Sequence, residues 1–162
     1  MEKNIQAIAR RTIALEAQSV QGLGDFINDE FEKAIQAIHH SSGRLVVTGI
    51  GKSAIVGQKI VATFNSTGTP SLFMHAADAL HGDMGMILKD DVVLIISKSG
   101  ESPEIKALPP FIKNFGNTLI AMVGNMQSSL AREAGIVLNT TVSKEACPHN
   151  LAPTSSTTAQ MV

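Results

Sequence analysis

The sequence predicts an α/β fold, a three-layer αβα sandwich around a five-stranded parallel sheet with N-terminal helices in front of it. Three observations lead there. From Gly43 onward, short aliphatic runs alternate with helical stretches. The runs are nearly continuous in apolar residues, the pattern of strands buried on both faces. The chain before Gly43 shows helical periodicity and no strand signal.

In that first part, Ile5, Ile8, Thr12 and Leu15 fall on one stripe, and Ile27, Phe31, Ala34, Ile35 and Ile38 on another. Two helices are expected, meeting where Gly22 and Gly24 interrupt the run. The strands are expected at Leu45–Val47, Ser71–Phe73, Val92–Ile96, Leu119–Val123 and Ile136–Leu138. Helices are expected between them at Lys52–Asn65, Ala76–Gly82, Pro103–Asn114 and Ser128–Ala134. Such alternation means a parallel sheet with helices on both faces. The whole chain, 1–162, reads as a single domain, with helices over 1–42 and the α/β core over 43–162.

Composition narrows the function. The chain has 162 residues, 13 basic and 14 acidic, for a net charge of -1. That balance gives no electrostatic reason to expect nucleic acid or an anionic membrane as partner. The most apolar run, Val92–Ile96, falls far short of the roughly 20 residues that span a bilayer. Cys147 is the only cysteine, so no disulfide can form within the chain, and a reducing compartment suits it. Met1-Glu2-Lys3-Asn4 leads into amphipathic sequence and not an apolar signal core. A cytoplasmic protein is expected.

Ligands of open parallel sheets sit beyond the carboxyl ends of the strands, so the loops after the first and third strands carry the chemistry. The first is Thr48-Gly49-Ile50-Gly51-Lys52-Ser53. A glycine turn opening a helix presents backbone N–H groups and a favourable dipole to an anion. A mononucleotide P-loop would need glycine where Val46 stands. A dinucleotide fingerprint would need glycine at Ala54 and an acidic residue after the second strand, where none stands. The second loop is Ser97-Lys98-Ser99-Gly100-Glu101-Ser102, with Pro103 opening a helix and Glu104 following it. Three hydroxyls and free amides at a helix start make a metal-free phosphate cradle, more than a helix cap requires.

These two loops, with Ala79-Leu80-His81-Gly82-Asp83-Met84, Lys144-Glu145-Ala146-Cys147-Pro148 and Leu151-Ala152-Pro153-Thr154-Ser155-Ser156-Thr157-Thr158, resemble the sugar isomerase (SIS) domain family. Within it they are most similar to arabinose 5-phosphate isomerases of the KpsF/GutQ type. The resemblance runs from about Gly43 to the last residue. It implies a flavodoxin-like core, with phosphate held by Ser53, Ser97, Ser99 and Ser102 beside Gly51, Gly100 and Glu101. It also implies Lys52, His81, Glu104 and Glu145 as the functional polar groups of a D-ribulose 5-phosphate/D-arabinose 5-phosphate isomerase that supplies Kdo and lipopolysaccharide synthesis. No cofactor or metal is implied.

The residue types suit that task. Moving a carbonyl between C1 and C2 needs an acid/base group, a group that polarises the carbonyl, and stabilisation of the enediol. Glu104, Glu145 or His81 can exchange the proton and Lys52 can meet the oxyanion; the sequence does not rank them. The alternative is a SIS module that binds a phosphosugar without chemistry, for which the serines alone would suffice. Three departures stand out. The family loop usually carries an uncharged residue at Lys98. A further family histidine, beyond the Pro-Thr-Ser-Ser-Thr segment, and the C-terminal CBS pair of many members have no counterpart in these residues, which suggests a truncated form.

His75, His81 and Asp83 could be drawn as metal ligands, but nothing in their spacing imposes that geometry. His39 and His40 are expected in solvent, and Cys147 as a structural thiol. Met74, Met84, Met86 and Met122 are expected as filler. The apolar residues of the N-terminal helices exceed what one packed face needs, so a homo-oligomer is expected, a tetramer with dihedral symmetry.

Overall fold

The structure is a computed structural model that describes residues 4–162. Met1 to Lys3, part of the expected helical region and of the amphipathic start, lie outside the described residues. The strands are β1 (Leu45–Gly49), β2 (Ser71–His75), β3 (Val92–Ser97), β4 (Thr118–Val123) and β5 (Ile136–Asn139). The helices are α1 (Ile5–Gly22), α2 (Asp29–His39), α3 (Lys52–Ser66), α4 (Ala76–Ala79), α5 (Pro103–Phe115), α6 (Ser129–Glu133) and α7 (Ser155–Met161). The strands form one parallel sheet in the order β2-β1-β3-β4-β5.

Side chains alternate between the faces of a strand, and the aliphatic runs fill both. Val46, Val93, Ile95 and Ala121 pack against Ile105, Leu108 and Ile112 of α5, Leu130 of α6 and the alanines of α4. Leu45, Val47, Leu94, Ile96 and Ile120 pack on the other side, against Ala34 and Ile38 of α2 and Ile60 and Phe64 of α3. Two packed faces around one sheet give the expected three layers.

The differences from expectation have local causes. Strands β1, β2, β3 and β5 run past the apolar stretches into Gly49, His75, Ser97 and Asn139, because ladder pairing continues where side-chain polarity changes. The helix expected over Ala76–Gly82 stops at Ala79. Gly82 takes φ 129°, outside helical space, and a 3-10 turn over Asp83–Met86 follows. Helix α5 contains Pro109 and Pro110 and still closes at Gly116, which takes the left-handed φ 80° common just past helix ends. Helix α7 has no counterpart among the expected elements, since its hydroxyl-rich sequence carries no apolar period; it packs against α1 and α3. The N-terminal stripes are less buried than their pattern suggests. None of the described residues of α1 is fully buried, and Ile5 is 79% and Ile13 69% exposed.

At the amino edge, an ion pair between half-buried Arg44 and buried Asp91 ties the start of β1 to the start of β3. Asp91 accepts from the Arg44 amide at 2.8 Å and from the Arg44 guanidinium at 2.8 and 3.2 Å. It also accepts from the Leu88 amide at 2.9 Å. Burial would push the Asp91 carboxyl up, but Arg44 and the Leu88 amide outweigh it and hold it below the ordinary value. Losing these bonds in Asp91→Ala should cost on the order of 3 kcal/mol, each hydrogen bond to a charged group being worth about 1.5–3 kcal/mol. Urea unfolding at neutral pH measures it, and a change within about 0.5 kcal/mol, the range of ordinary surface substitutions, would contradict this role.

Candidate functional site

The site follows from strand order. Strand β1 lies between β2 and β3. Its connection to β2 crosses one face through α3, while β3 leads into α5 on the other face. The loops leaving β1 and β3 therefore part company, which is where a parallel sheet opens a crevice. A cleft of about 340 Å³ lies there. Ile50, Lys52 and Ser53 line it from the first loop, and Ser97, Lys98, Ser99 and Ser102 from the second. Pro153, Ser156, Thr157 and Gln160 close it from the C-terminal segment.

Two glycines shape the loops. Gly51 takes φ 60° and Gly100 φ 65°, the left-handed region that glycine enters without steric cost. A Cβ at Gly100 would also run into the Ser128 side chain. Within this frame Ser97 Oγ accepts from the Gly100 amide at 3.0 Å, and Ser99 Oγ from the Glu101 amide at 3.3 Å. Both hydroxyls thus spend a lone pair on the loop and keep their O–H to donate to an anion. Ser53 donates to Gln160 Oε1 at 3.3 Å, which fixes its rotamer at the cleft wall.

Glu101 anchors the loop. Its carboxylate accepts from the Ser129 amide at 2.6 Å and the Ser129 hydroxyl at 3.1 Å, and lies 3.6 Å from Lys106 Nζ. The Ser129 groups, with Lys106 and Arg132, hold it below the usual carboxylate value. Gly100 O accepts from the Leu130 amide at 3.2 Å, so the serine loop is bolted to α6 twice.

Glu145 is the organising group of the far wall. It is 5% exposed. Its Oε1 accepts from Lys98 Nζ at 2.6 Å. Its Oε2 accepts from the Thr154 amide at 2.7 Å, the Thr154 hydroxyl at 3.2 Å and the Ser156 amide at 3.1 Å. Burial alone would raise its pKa, but Lys98, Ser156 and Thr154 outweigh it and bring it down to about 2. One carboxylate thus folds the 145–156 segment back on itself and pins it to the serine loop.

Of the residues expected from the sequence, the fold gathers Lys52, Ser53, Ser97, Ser99 and Ser102 around one cleft, with Gly51 and Gly100 shaping its loops. Glu145 joins them through Lys98. Glu104, half-buried in the first turn of α5, and His81, exposed after α4, do not line this cleft. Gln160, Ser156, Thr157 and Pro153 line it without being among the expected site residues, although the hydroxyl-rich run after Pro153 is a visible signal. Lys98 is visible too, but its partner lies 47 residues away in sequence.

The Glu145 network should be visible in acid. A carboxyl lowered on folding stabilises above its unfolded pKa of about 4.3 and loses that contribution as pH falls through the folded value. The stability difference between the native chain and Glu145→Gln should therefore be full at neutral pH and shrink from about pH 4 downward toward 2. Urea unfolding across that range measures it; a difference independent of pH would contradict the network.

Comparison with known proteins agrees with this geometry. Residues 38–162 match the SIS domain. The arabinose 5-phosphate isomerase KdsD of Pseudomonas aeruginosa is 54% identical over 164 residues, which cover 100% of this chain and 50% of that protein. A probable arabinose 5-phosphate isomerase of Haemophilus influenzae is 48% identical over 153 residues, 94% of this chain and 45% of that protein. The chain spans about half the length of the curated relatives it matches. Among solved structures, E. coli CFT073 c3406 in complex with arabinose 5-phosphate superposes with a TM-score of 0.93 at 38% identity, covering 99% of this chain and 86% of that one. Sequence and overall fold agree, and the chain belongs to the SIS domain family.

Proposed function

We propose that this chain carries the active site of an aldose–ketose isomerase interconverting D-ribulose 5-phosphate and D-arabinose 5-phosphate. The observation that carries the reading is the cleft itself, lined by serines from both loops beside Lys52 and by no carboxylate. That set fits a phosphate dianion. The relatives named for arabinose 5-phosphate supply the pentose.

In this reading the phosphate rests on the hydroxyls of Ser97, Ser99 and Ser102 and the amides of the Gly51–Ser53 turn, with the Ser53 hydroxyl turning from Gln160 to the anion. A base lifts a proton from C1 of the ketose, the enediol forms, and return of a proton to C2 gives the aldose. Lys52, at the start of α3, meets the negative charge that develops on the carbonyl oxygen. Glu145 is a weak base at neutral pH, because both its oxygens are engaged and its pKa is held at about 2. Its part is positioning, and proton exchange falls to Glu104 or His81, both outside the lining of the cleft that takes the phosphate.

The reading extends to a cytoplasmic enzyme that feeds Kdo and lipopolysaccharide synthesis. It also includes a homotetramer, supported by the exposed Ile5, Ile8 and Ile13 of α1 and by the exposed Ile27, Phe31 and Ile35 around α2. An exposed His81 suits a group that reaches a neighbour's sugar site. Among the described residues no helix is long and apolar enough to cross a membrane.

In the intact protein, Lys52→Ala should lower kcat/KM by about a hundredfold or more, the cost of removing one oxyanion donor. In heavy water, turnover should carry solvent deuterium onto the substrate carbon. Phosphosugar binding without turnover or exchange would leave a binding module in place of an enzyme.

A further inference from the structure

Lys98 is the cation in the cleft that the isomerase reading leaves without a task. It stands between Ser97 and Ser99, inside the cradle, and lines the same cleft as Lys52. An ammonium carries three N–H donors and no acceptor. Glu145 Oε1 takes one at 2.6 Å, and among the described residues no other hydrogen bond from Lys98 Nζ is formed. The side chain is 51% exposed while that of Glu145 is 2% exposed, so the carboxylate sits behind the ammonium and the remaining donors have access to solvent.

The side chain is also held in place. Gly124 N donates to Lys98 O at 3.0 Å, and a Cβ at Gly124 would come within 3.2 Å of Lys98 Cγ. The stem rests on a glycine and the head is tied to a buried carboxylate, so much of the rotamer freedom of an exposed lysine is already spent. A fixed cation costs less ordering when a ligand arrives.

We infer that Lys98 is a phosphate-binding residue of this cleft, a second fixed cation that selects a phosphomonoester dianion over an uncharged sugar. The inference rests on the sugar-phosphate reading above and names a ligand group that reading does not use. Glu145 then does two things through one bond: it aims Lys98 and pins the 145–156 segment.

The competing role is that Lys98 serves only as counter-ion to Glu145. Two variants separate these roles: Glu145→Gln, which keeps the ammonium, and Lys98→Gln/Glu145→Gln, which replaces the ion pair by a neutral pair able to hydrogen-bond. Calorimetric titration with D-arabinose 5-phosphate, at low and high salt, should show the double variant binding about ten- to a hundredfold more weakly than Glu145→Gln, the range of one charge-assisted hydrogen bond. Its salt dependence should be shallower as well. Equal affinity and equal salt dependence in the two would overturn the inference and leave the isomerase reading standing. Absence of binding in the native protein would overturn both. A measurement without variants covers a double variant that fails to fold: the Lys98 13Cε resonance should shift on adding D-arabinose 5-phosphate and stay put with D-arabinose. An unmoved resonance in the saturated protein would equally overturn it.

Discussion

Everything at the site depends on the divergence of two connections at the centre of a parallel sheet. Strands β1 and β3 are hydrogen-bonded neighbours from Leu45 opposite Val92 to Gly49 opposite Ile96, so their loops start side by side. The helices that follow lie on opposite faces, so the loops cannot stay together. The space between them is a cleft whose floor is strand ends and whose walls are backbone amides and short polar side chains. Moving β3 elsewhere in the strand order would leave the same residues without a common space.

A cleft built of loops binds an anion well only if the loops are already in place, because ordering them on binding would consume the interaction energy. Carboxylates supply much of that order here. Glu101 holds the serine loop to α6, and Glu145 holds Lys98 and the 145–156 segment. Each is satisfied by hydrogen bonds that the folded chain has no better use for. This arrangement separates two tasks that acidic residues could share. Glu101 and Glu145 are engaged and held well into their ionised form, while among the described residues the Glu104 side chain forms no hydrogen bond or ion pair.

Much of this was legible in the sequence. Five apolar runs without polar alternation mark doubly covered strands, and the loops after the first and third carry glycines and serines at positions with an evident anion-binding use. What escaped was long-range or aperiodic. Helix α7 has four consecutive hydroxyl residues at its start, Ser155 to Thr158, so no hydrophobic period announces it. Its stability comes from packing on α1 and α3, which only the tertiary fold provides. The partners of Glu145 were equally hidden, because a motif cannot show that both of its oxygens accept hydrogen bonds from Lys98, Thr154 and Ser156. The apolar stripes of the N-terminal residues do lie on helices, but periodicity cannot tell a face packed within the chain from one left outside it. Ala34 is buried, whereas Ile35, beside it in sequence, is 47% exposed.

The central claim is that the crevice between β1 and β3 holds a sugar phosphate. A crystal structure of the protein with D-arabinose 5-phosphate bound tests it most directly. The account predicts the phosphorus between the Gly51–Ser53 turn and the Ser97–Ser102 loop, with Ser97 and Ser99 hydroxyls on its oxygens and the sugar chain extending toward Lys52. Phosphate density seated elsewhere, such as in the apolar groove between Phe26, Phe31 and Val137, with the serine loop empty, would contradict it.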